Sequence, residues 1–382
     1  MTKDSVKEHK FIIFCGHSIN ALGIIRSLHQ VQIDPIAIFI RNAEVNYVEC
    51  SRFIGKKHYV DDSMQGLELL LLEYGSEEYP PFVFTADDYH TMLLDQNYEK
   101  LAGRFYFFNC GESMRLTSFQ YKDEQCRAAK EAGFVVPAWE VVEKGAFPKT
   151  LCYPVITKSI SSNEGGWKKD VFVCNNEEEL DNAYKKITAS RLLLEEYVQK
   201  KCEITLHGFS VNAGQQVFIP FYSEDYVFSR TGFGNFLTFQ PVENPSLLDR
   251  TIKLIQTLKY SGLFGIDMTM DKTGELLFFE INLRSDARNY GVTAGGANLP
   301  LLWAQTTIGE ALPTDLSLRK KFYVVDEIPD IMQYKKNPWK WISDLSRADV
   351  YLWYYKHDNA PIWRYFKSKM IKGAKKFFSR WH

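Results

Sequence analysis

Apolar and polar positions along this chain follow two periods, and the switches between them mark out its elements. FIIFCG is a short apolar run ending at a glycine, HSINALGIIRSLHQ repeats its apolar residues every three or four positions, and PIAIFI is apolar again. That order predicts strand, turn, helix and strand, a βαβ unit opening a parallel sheet. FVFTADD and RFYFFNCG read as further strands, apolar throughout because both faces of a parallel sheet are covered. YKDEQCRAAKEAGF returns to helical spacing, with Gly133 placed to stop it. Downstream, YPVITKS, DVFVC, LLLEEYV, EITLHGFSV and QVFIPFY are strand-like, and EEELDNAYKKI is a helix with an acidic first turn. SLLDRTIKLIQTLKYSG is an amphipathic helix, and FGIDMTM and ELLFFEIN flank a DKTG turn as a hairpin. The sequence has no internal repeat.

Composition and charge narrow the class. At 382 residues, with 45% hydrophobic and 15% aromatic content, the chain is long enough for two or three domains with sizeable cores. A formal net charge of -1 offers no long-range attraction to nucleic acid, so no nucleic-acid partner is expected. The 7 cysteines stand singly, without a CxxC or a Cys/His cluster, which argues against a disulfide framework or structural zinc. The N-terminal apolar run is too short for a signal-peptide core, and no run approaches the ~20 apolar residues of a membrane span. A cytoplasmic protein is the expectation.

The chemistry concentrates in EINLRSDARNYGVTAGG, residues 280–296. Pairing Met270 with Glu275 across DKTG sets Asp267 opposite Phe278, with Glu280 its diagonal neighbour on the same face and Asn282 beside it. Two carboxylates and an amide oxygen form a hard, oxygen-only donor set suited to Mg²⁺, which completes its shell with water and substrate phosphates. A solvated acidic sheet face is the alternative, and the apolar neighbours Phe278, Phe279 and Ile281 weigh against it, because uncompensated charge beside covered surface is costly. Arg284 and Arg288 follow, guanidinium forks suited to carboxylates or phosphates, or to surface ion pairs. Gly291, Gly295 and Gly296 permit close backbone approach.

A nucleotide half is also legible. With no GxxxxGK[ST], a P-loop is excluded as the phosphate cradle. Lys158 ends YPVITKS and precedes SISSNEGGWKKD, a polar hairpin whose glycines would let backbone NH groups close over phosphates, or form a plain surface turn. Lys122 opens the preceding helix and would reach the same phosphates. LLLEEYV passes into an acidic connection where Glu195 would accept from an adenine amine and Glu203 would receive ribose hydroxyls, although such acids are commonplace in loops.

Taken in order, these pieces resemble the ATP-grasp superfamily, which folds nucleotide between two α+β lobes and joins a carboxylate to an amine. The resemblance implies an α/β plus α+β fold. A βαβ pre-ATP-grasp domain would span 1–112 and a two-lobed ATP-grasp domain 113–311, its lid lobe at about 120–198, followed by a C-terminal helical extension over 312–382. It implies Lys122 and Lys158 as phosphate-side lysines and SSNEGGWKKD, with Gly165 and Gly166, as the lid. Glu195, Glu196 and Val198 fall on the adenine hinge, the last two acting through backbone, and Glu203 on the ribose-binding acid. Asp267, Glu280 and Asn282 match the Mg²⁺ ligands, with Mn²⁺ a substitute, and Arg284 matches the arginine of the family's E-x-N-x-R ending. Arg230, in VFSRTGFGNF, lies where the family often brings another cation to the terminal phosphate.

Within the superfamily, INLRSDARNYGVTAGGANLP is similar to the D-aspartate ligase-like branch, which modifies cell-wall precursors or surface polymers. The resemblance therefore implies ATP-dependent activation of a small-molecule carboxylate, an amino acid, as an acylphosphate. The acyl group would pass to an amine acceptor on a cell-envelope precursor or surface polysaccharide, with ADP and phosphate released. Two positions depart from the pattern: Leu283 stands where proline is common, and the lid carries Trp167 with two lysines. Two other functions remain open, a catalytically silent ATP-binding or assembly module and a dinucleotide-dependent oxidoreductase. Against the latter stand the missing GxGxxG and an Asp267/Glu280 pair that hydride chemistry does not need.

Three further features stand outside that core. Ser18 and Asn20 lie at a helix start, fit either for an anion or for capping. Asp87 and Asp88 follow a strand, fit either for an amine substrate or for capping, and His17 and His90 have no part in the chemistry. In the tail, Trp363, Phe366, Met370, Ala374, Phe377 and Trp381 form one helical stripe. Arg364, Lys367, Lys369, Lys372, Lys375, Lys376 and Arg380 largely fill the remainder. A helix over 362–382 with that pattern predicts attachment to an anionic membrane surface, on the inner face of the cell membrane, or docking on the protein's own core.

Overall fold

The structure, a computed structural model, describes residues 5–14, 19–41, 46–161, 164–228, 234–326 and 338–378. Three sheets organise it. The first is parallel, with strand order β3-β2-β1-β4-β5: β1 Phe11–Phe14, β2 Ile36–Ile40, β3 Lys56–Val60, β4 Phe82–Thr85 and β5 Tyr106–Phe107. Both of its faces are covered, as the unbroken apolar runs require. Phe11, Ile13, Phe39 and Phe84 pack to one side, with Ile24, Ile25 and Leu28 of the Ile19–His29 helix. Ile12, Phe14, Ile38 and Val83 pack to the other. The sequence pattern misses β3, KKHYV, because it is a sheet edge and mostly exposed.

The second sheet is antiparallel, ordered β6-β9-β7-β8 from β6 Trp139–Glu143, β7 Val155–Ser159, β8 Val173–Cys174 and β9 Arg191–Glu196. The Glu177–Tyr184 helix, capped by Asn176, supplies Leu180, Ala183 and Tyr184 to its small core.

The third sheet carries seven strands in the order β14-β13-β10-β11-β12-β15-β16. They are β10 Lys200–Val211, β11 Gln216–Phe228, β12 Gly234–Pro241, β13 Gly262–Asp271, β14 Leu276–Asn282, β15 Phe322–Val325 and β16 Val350–Tyr351. Even positions of β10, such as Ile204 and Leu206, join the main apolar cluster with Leu254, Ile255 and Leu258 of the Pro245–Leu258 helix. Odd positions, Glu203, Thr205 and His207, lie on the opposite face. The Asn289–Ala294 helix covers part of that second face. It comes close because Gly291 and Gly295 have no side chain: a Cβ there would sit 2.9 Å from Phe239 and 2.8 Å from Phe221.

The Lys122–Ala132 helix packs on the seven-stranded sheet, where Gln125 exchanges two 3.1 Å hydrogen bonds with the backbone of Ile281. It ends as predicted at Gly133, in the left-handed conformation at φ 97.

The C-terminal region carries the expected helices, Pro338–Ser346 and Ala360–Phe378, and adds strands to them. It contributes β15 and β16 to the large sheet, and it locks onto the βαβ unit through a fully buried ion pair between Arg26 and Asp358. Arg26 Nη1 also donates to the Leu352 carbonyl at 2.6 Å, and Asp358 accepts from Ser51 Oγ at 2.9 Å. The final helix, Ala360–Phe378, docks through Pro361 and through Tyr365, whose ring lies 4.7 Å from Trp353. Trp363, 66% exposed, and Met370, 75% exposed, point away. No helix among the described residues is long and apolar enough to cross a membrane.

Candidate active site

The β13–β14 hairpin departs from the predicted register by two steps. Its loop is three residues, Lys272 to Gly274, closed by Asp271 and Glu275, because Gly274 takes a left-handed φ of 94 and Asp271 Oδ1 accepts the backbone NH of Thr273 and Glu275. A bulge between Asp267 and Met268 adds the second step. Asp267 therefore faces Glu280 directly, where a diagonal relation was expected. Across the sheet, Asp267 also pairs with Thr205, and Thr205 with Ser223, so one polar row runs over four strands.

That row holds the three predicted metal ligands together. Asp267 accepts from Thr205 Oγ1 at 2.6 Å and from Asn282 Nδ2 at 3.0 Å, while Glu280 ion-pairs with Lys122. Burial and the neighbouring Glu280 push the Asp267 carboxyl up to about 6. Glu280 is held down to about 2 by Lys122, against its burial. Burial would lower the Lys122 ammonium, but the charge and hydrogen bond of Glu280 with the charges of Asp88 and Glu195 together leave it raised. A hard divalent cation fits this donor set: two facing carboxylates whose repulsion it would relieve, and beside them an amide whose nitrogen turns to Asp267 and whose oxygen accepts from Arg284. Among the described residues no three His, Cys, Asp or Glu side chains gather as an all-protein metal cage. Such an ion would thus complete its shell with oxygens from water and phosphate.

Lys158 approaches from the small sheet, with Nζ 4.1 Å from the centre of the Phe279 ring and 2.6 Å from Glu195 Oε1. The two sheets thereby face each other across the hairpin. Glu195, expected at an adenine edge, has its side chain buried and turned to Lys158 in this structure. Alternation on β9 explains this, since Glu195 shares a strand face with Leu193, which lies beside Lys158 in the β7 register. The backbone NH of Glu196 is occupied by the Ala138 carbonyl at 2.9 Å, leaving only its carbonyl for a ligand. Val198 lies in the connection between β9 and β10. Glu203 is half-buried on the polar face beside Thr205, paired with Lys200 at 2.6 Å.

The lid glycines also differ from expectation. Gly166 NH is already held by Asp170 Oδ2 at 2.6 Å, and a Cβ on Gly165 would lie 2.5 Å from Ala189. Asp170 further accepts from the backbone of Thr188 and Ala189, so it anchors the lid base to the small sheet. Arg230, Ser18 and His17, together with Ser162 and Asn163 of the lid, lie outside the described residues.

Arg284 and Arg288 part company. Arg284 stays at the edge of the row, with Nη2 donating to Asn282 Oδ1 at 2.9 Å and Nε to Asp88 at 2.6 Å. Arg288, expected to grip an anionic substrate, is committed to protein. Its Nη1 donates to Thr205 and Ser223, Nη2 to Asp225 at 3.1 Å, and Nε to Asp326 at 3.2 Å. Burial pushes the Asp225 carboxyl up to about 7 despite Arg288. Beside it, buried His207 bridges Asp286 and Ser223, both at 2.9 Å. Thr205, His207, Ser223 and Asp225 escaped the sequence reading, although the alternations in EITLH and SED carry their signal. Asp326 had none, since it comes from beyond the predicted domain.

Lys158 on the small antiparallel sheet and Lys122 on the helix against the larger one converge on the acids of the larger sheet, an arrangement with a counterpart in sequence comparison. Residues 127–293 match the ATP-grasp domain family. The chain carries an ATP-grasp domain. N5-carboxyaminoimidazole ribonucleotide synthase of Staphylococcus aureus (strain COL) is 27% identical over 203 residues, 50% of this chain and 52% of the relative. The chain thus spans about half the length of the curated relatives it matches. In structure, N5-carboxyaminoimidazole synthetase from Staphylococcus aureus complexed with ADP superposes with a TM-score of 0.67 at 17% identity, covering 87% of this chain and 86% of that one. The L-amino acid ligase from Bacillus licheniformis gives 0.62 at 12%, covering 82% and 79%. At such identities the likeness speaks of fold, and it extends beyond the matched ATP-grasp domain to the βαβ unit before it.

Proposed function

We propose that this chain is an ATP-dependent carboxylate-amine ligase. The observation that carries the reading is the direct facing of Asp267 and Glu280, with Asn282 beside them and Lys122 and Lys158 within reach, inside an ATP-grasp domain. ATP is the phosphoryl donor, and a substrate carboxylate oxygen attacks its γ-phosphorus, releasing ADP and leaving an acylphosphate. An amine then attacks the acyl carbon, the C–O bond to phosphate breaks, and an amide, phosphate and a proton are the products. Asp267, Glu280 and Asn282 would hold Mg²⁺, which when bound would supply charge neutralisation at the phosphates. Lys122 and Lys158 exchange their carboxylate partners for phosphate oxygens, and Arg284 steadies the reacting acid. Arg288 holds the polar row in register, with Asp225, Asp326, Thr205 and Ser223 as its supports.

The finer reading follows the segment INLRSDARNYGVTAGGANLP: the acid is an amino acid, and the amine sits on a cell-envelope precursor or surface polymer. The basic Ala360–Phe378 helix, with Trp363 and Met370 exposed, supports a peripheral place on an anionic membrane, where a lipid-linked acceptor would be found. An ADP-release screen over amino acids and acceptor amines with Mg²⁺ or Mn²⁺, with mass detection of product, tests the proposal. The expected result is metal-dependent ADP that needs both acid and amine. ATP binding without ADP from any pair would favour the silent module. Nicotinamide dinucleotide binding without ATP binding would favour the oxidoreductase.

A further inference from the structure

Asp87 and Asp88 are neighbours in sequence with different partners. Asp87 serves its own helix: it caps Asp88–Gln96 by accepting the His90 backbone NH at 2.9 Å, and it holds the His90 ring at 2.8 Å. Asp88 instead crosses from the parallel-sheet unit to the segment after β14 and accepts Arg284 Nε at 2.6 Å, across 196 positions of sequence. Asn20 ties the same two segments, donating to the Ala86 carbonyl at 2.9 Å and to the Ser285 carbonyl at 3.4 Å. The far edge of the Arg284 guanidinium is fixed on Asn282 and on the Ser285 carbonyl. An anion and a cation are thus held as one couple beside a candidate metal ligand. Part of each side chain stays exposed, 15% of Arg284 and 19% of Asp88.

This couple has a consequence for what Arg284 can receive. A simple carboxylate drawn to the guanidinium meets the Asp88 charge at once and is repelled. An acid bearing an ammonium on the adjacent carbon presents both charges in the matching order, carboxylate to Arg284 and ammonium to Asp88. Because the couple is a contact pair, the substrate's two charges must be adjacent as well, which disfavours long ω-amino acids. We propose that Asp88 is a specificity-determining residue that selects α-amino acids over the same acids without the amino group. The inference rests on the ligase reading for the place of Arg284 in the site.

The test is calorimetric titration of the full chain, loaded with Mg²⁺ and a non-hydrolysable ATP analogue. The probes are α-amino acids of every side-chain class in both hands, each against its des-amino counterpart, such as alanine against propionate and aspartate against succinate. The wild-type chain is expected to bind at least one amino acid roughly ten- to hundredfold more tightly than the matched acid, the worth of one charge-assisted contact. Asp88→Asn should bring that ratio to within about threefold, and Asp88→Glu should restore it. If Asp88→Asn does not fold, Asp88→Ser, suited to a helix start, takes its place. Absence of amino acid binding, equal binding of both acids, or a ratio that survives the substitution overturns the inference. The two readings separate cleanly. Discrimination without ADP release from any acid and amine removes the ligase alone, whereas ADP release without discrimination removes only the role of Asp88.

Discussion

Glu280→Gln is the substitution that separates the chemistry of the polar row from its stability. It removes one charge with almost no change of shape, at a position facing Asp267 and paired with Lys122. Two effects on the fold oppose each other. Lys122 loses a charged partner, a loss of about 1.5–3 kcal/mol. Asp267, pushed up to about 6 by burial and by Glu280, is relieved of its like-charged neighbour. The native state should therefore survive, with a net change on the order of 1 kcal/mol. The reaction has no such compensation. A lost charge-stabilising group costs about 2.7–4 kcal/mol in the transition state, which at 1.36 kcal/mol per decade is roughly 10²- to 10³-fold in turnover. The assay pairs a urea denaturation curve with ADP release across a Mg²⁺ titration. The expected pattern is a near-native curve, a rate lower by at least about a hundredfold, and a weaker metal response. Near-wild-type turnover with an unchanged Mg²⁺ midpoint would refute the assignment of Glu280 to the metal.

Three further outcomes follow from other parts of the molecule. Asp358→Ala leaves the buried Arg26 charge unpaired and should destabilise the chain by about 3–5 kcal/mol in denaturation, with Arg26→Met in the same chain recovering part of the loss; a cost below about 1 kcal/mol would contradict the clamp. Burial would raise the Glu140 carboxyl, but hydrogen bonds from Lys149, Thr150 and Leu151 hold it down to about 2. A depressed acid stabilises above its unfolded value and loses that contribution as pH falls, so the melting difference between wild type and Glu140→Gln should shrink between about pH 5 and pH 2. Removing residues 367–382, beyond the docked Pro361 and Tyr365, should abolish sedimentation with vesicles rich in phosphatidylglycerol, and added salt should weaken binding of the full chain. Equal sedimentation of both chains would remove the membrane reading.

What could be read from the residues alone was local. The βαβ opening, the helix ending at Gly133, the β13–β14 hairpin and the gathering of Asp267, Glu280 and Asn282 on one face all follow from period-two or period-3.6 patterns within short windows. The same patterns were too weak for β3 and β16, the first because an edge strand is half polar and the second because it is only two residues long. Register escaped too: one left-handed glycine and one bulge, neither visible as a period, moved Glu280 from diagonal to opposite. Only the closed chain decided which charge meets which. Glu195 turned to Lys158, Arg288 was taken up by Asp225 and Asp326, and Asp88 reached Arg284. A residue's own neighbours in sequence settle which face its side chain occupies, because backbone geometry repeats. Its ionic partner is settled by whatever the fold brings within about 4 Å, where burial makes pairing compulsory, and that distance exists only once the sheets have met.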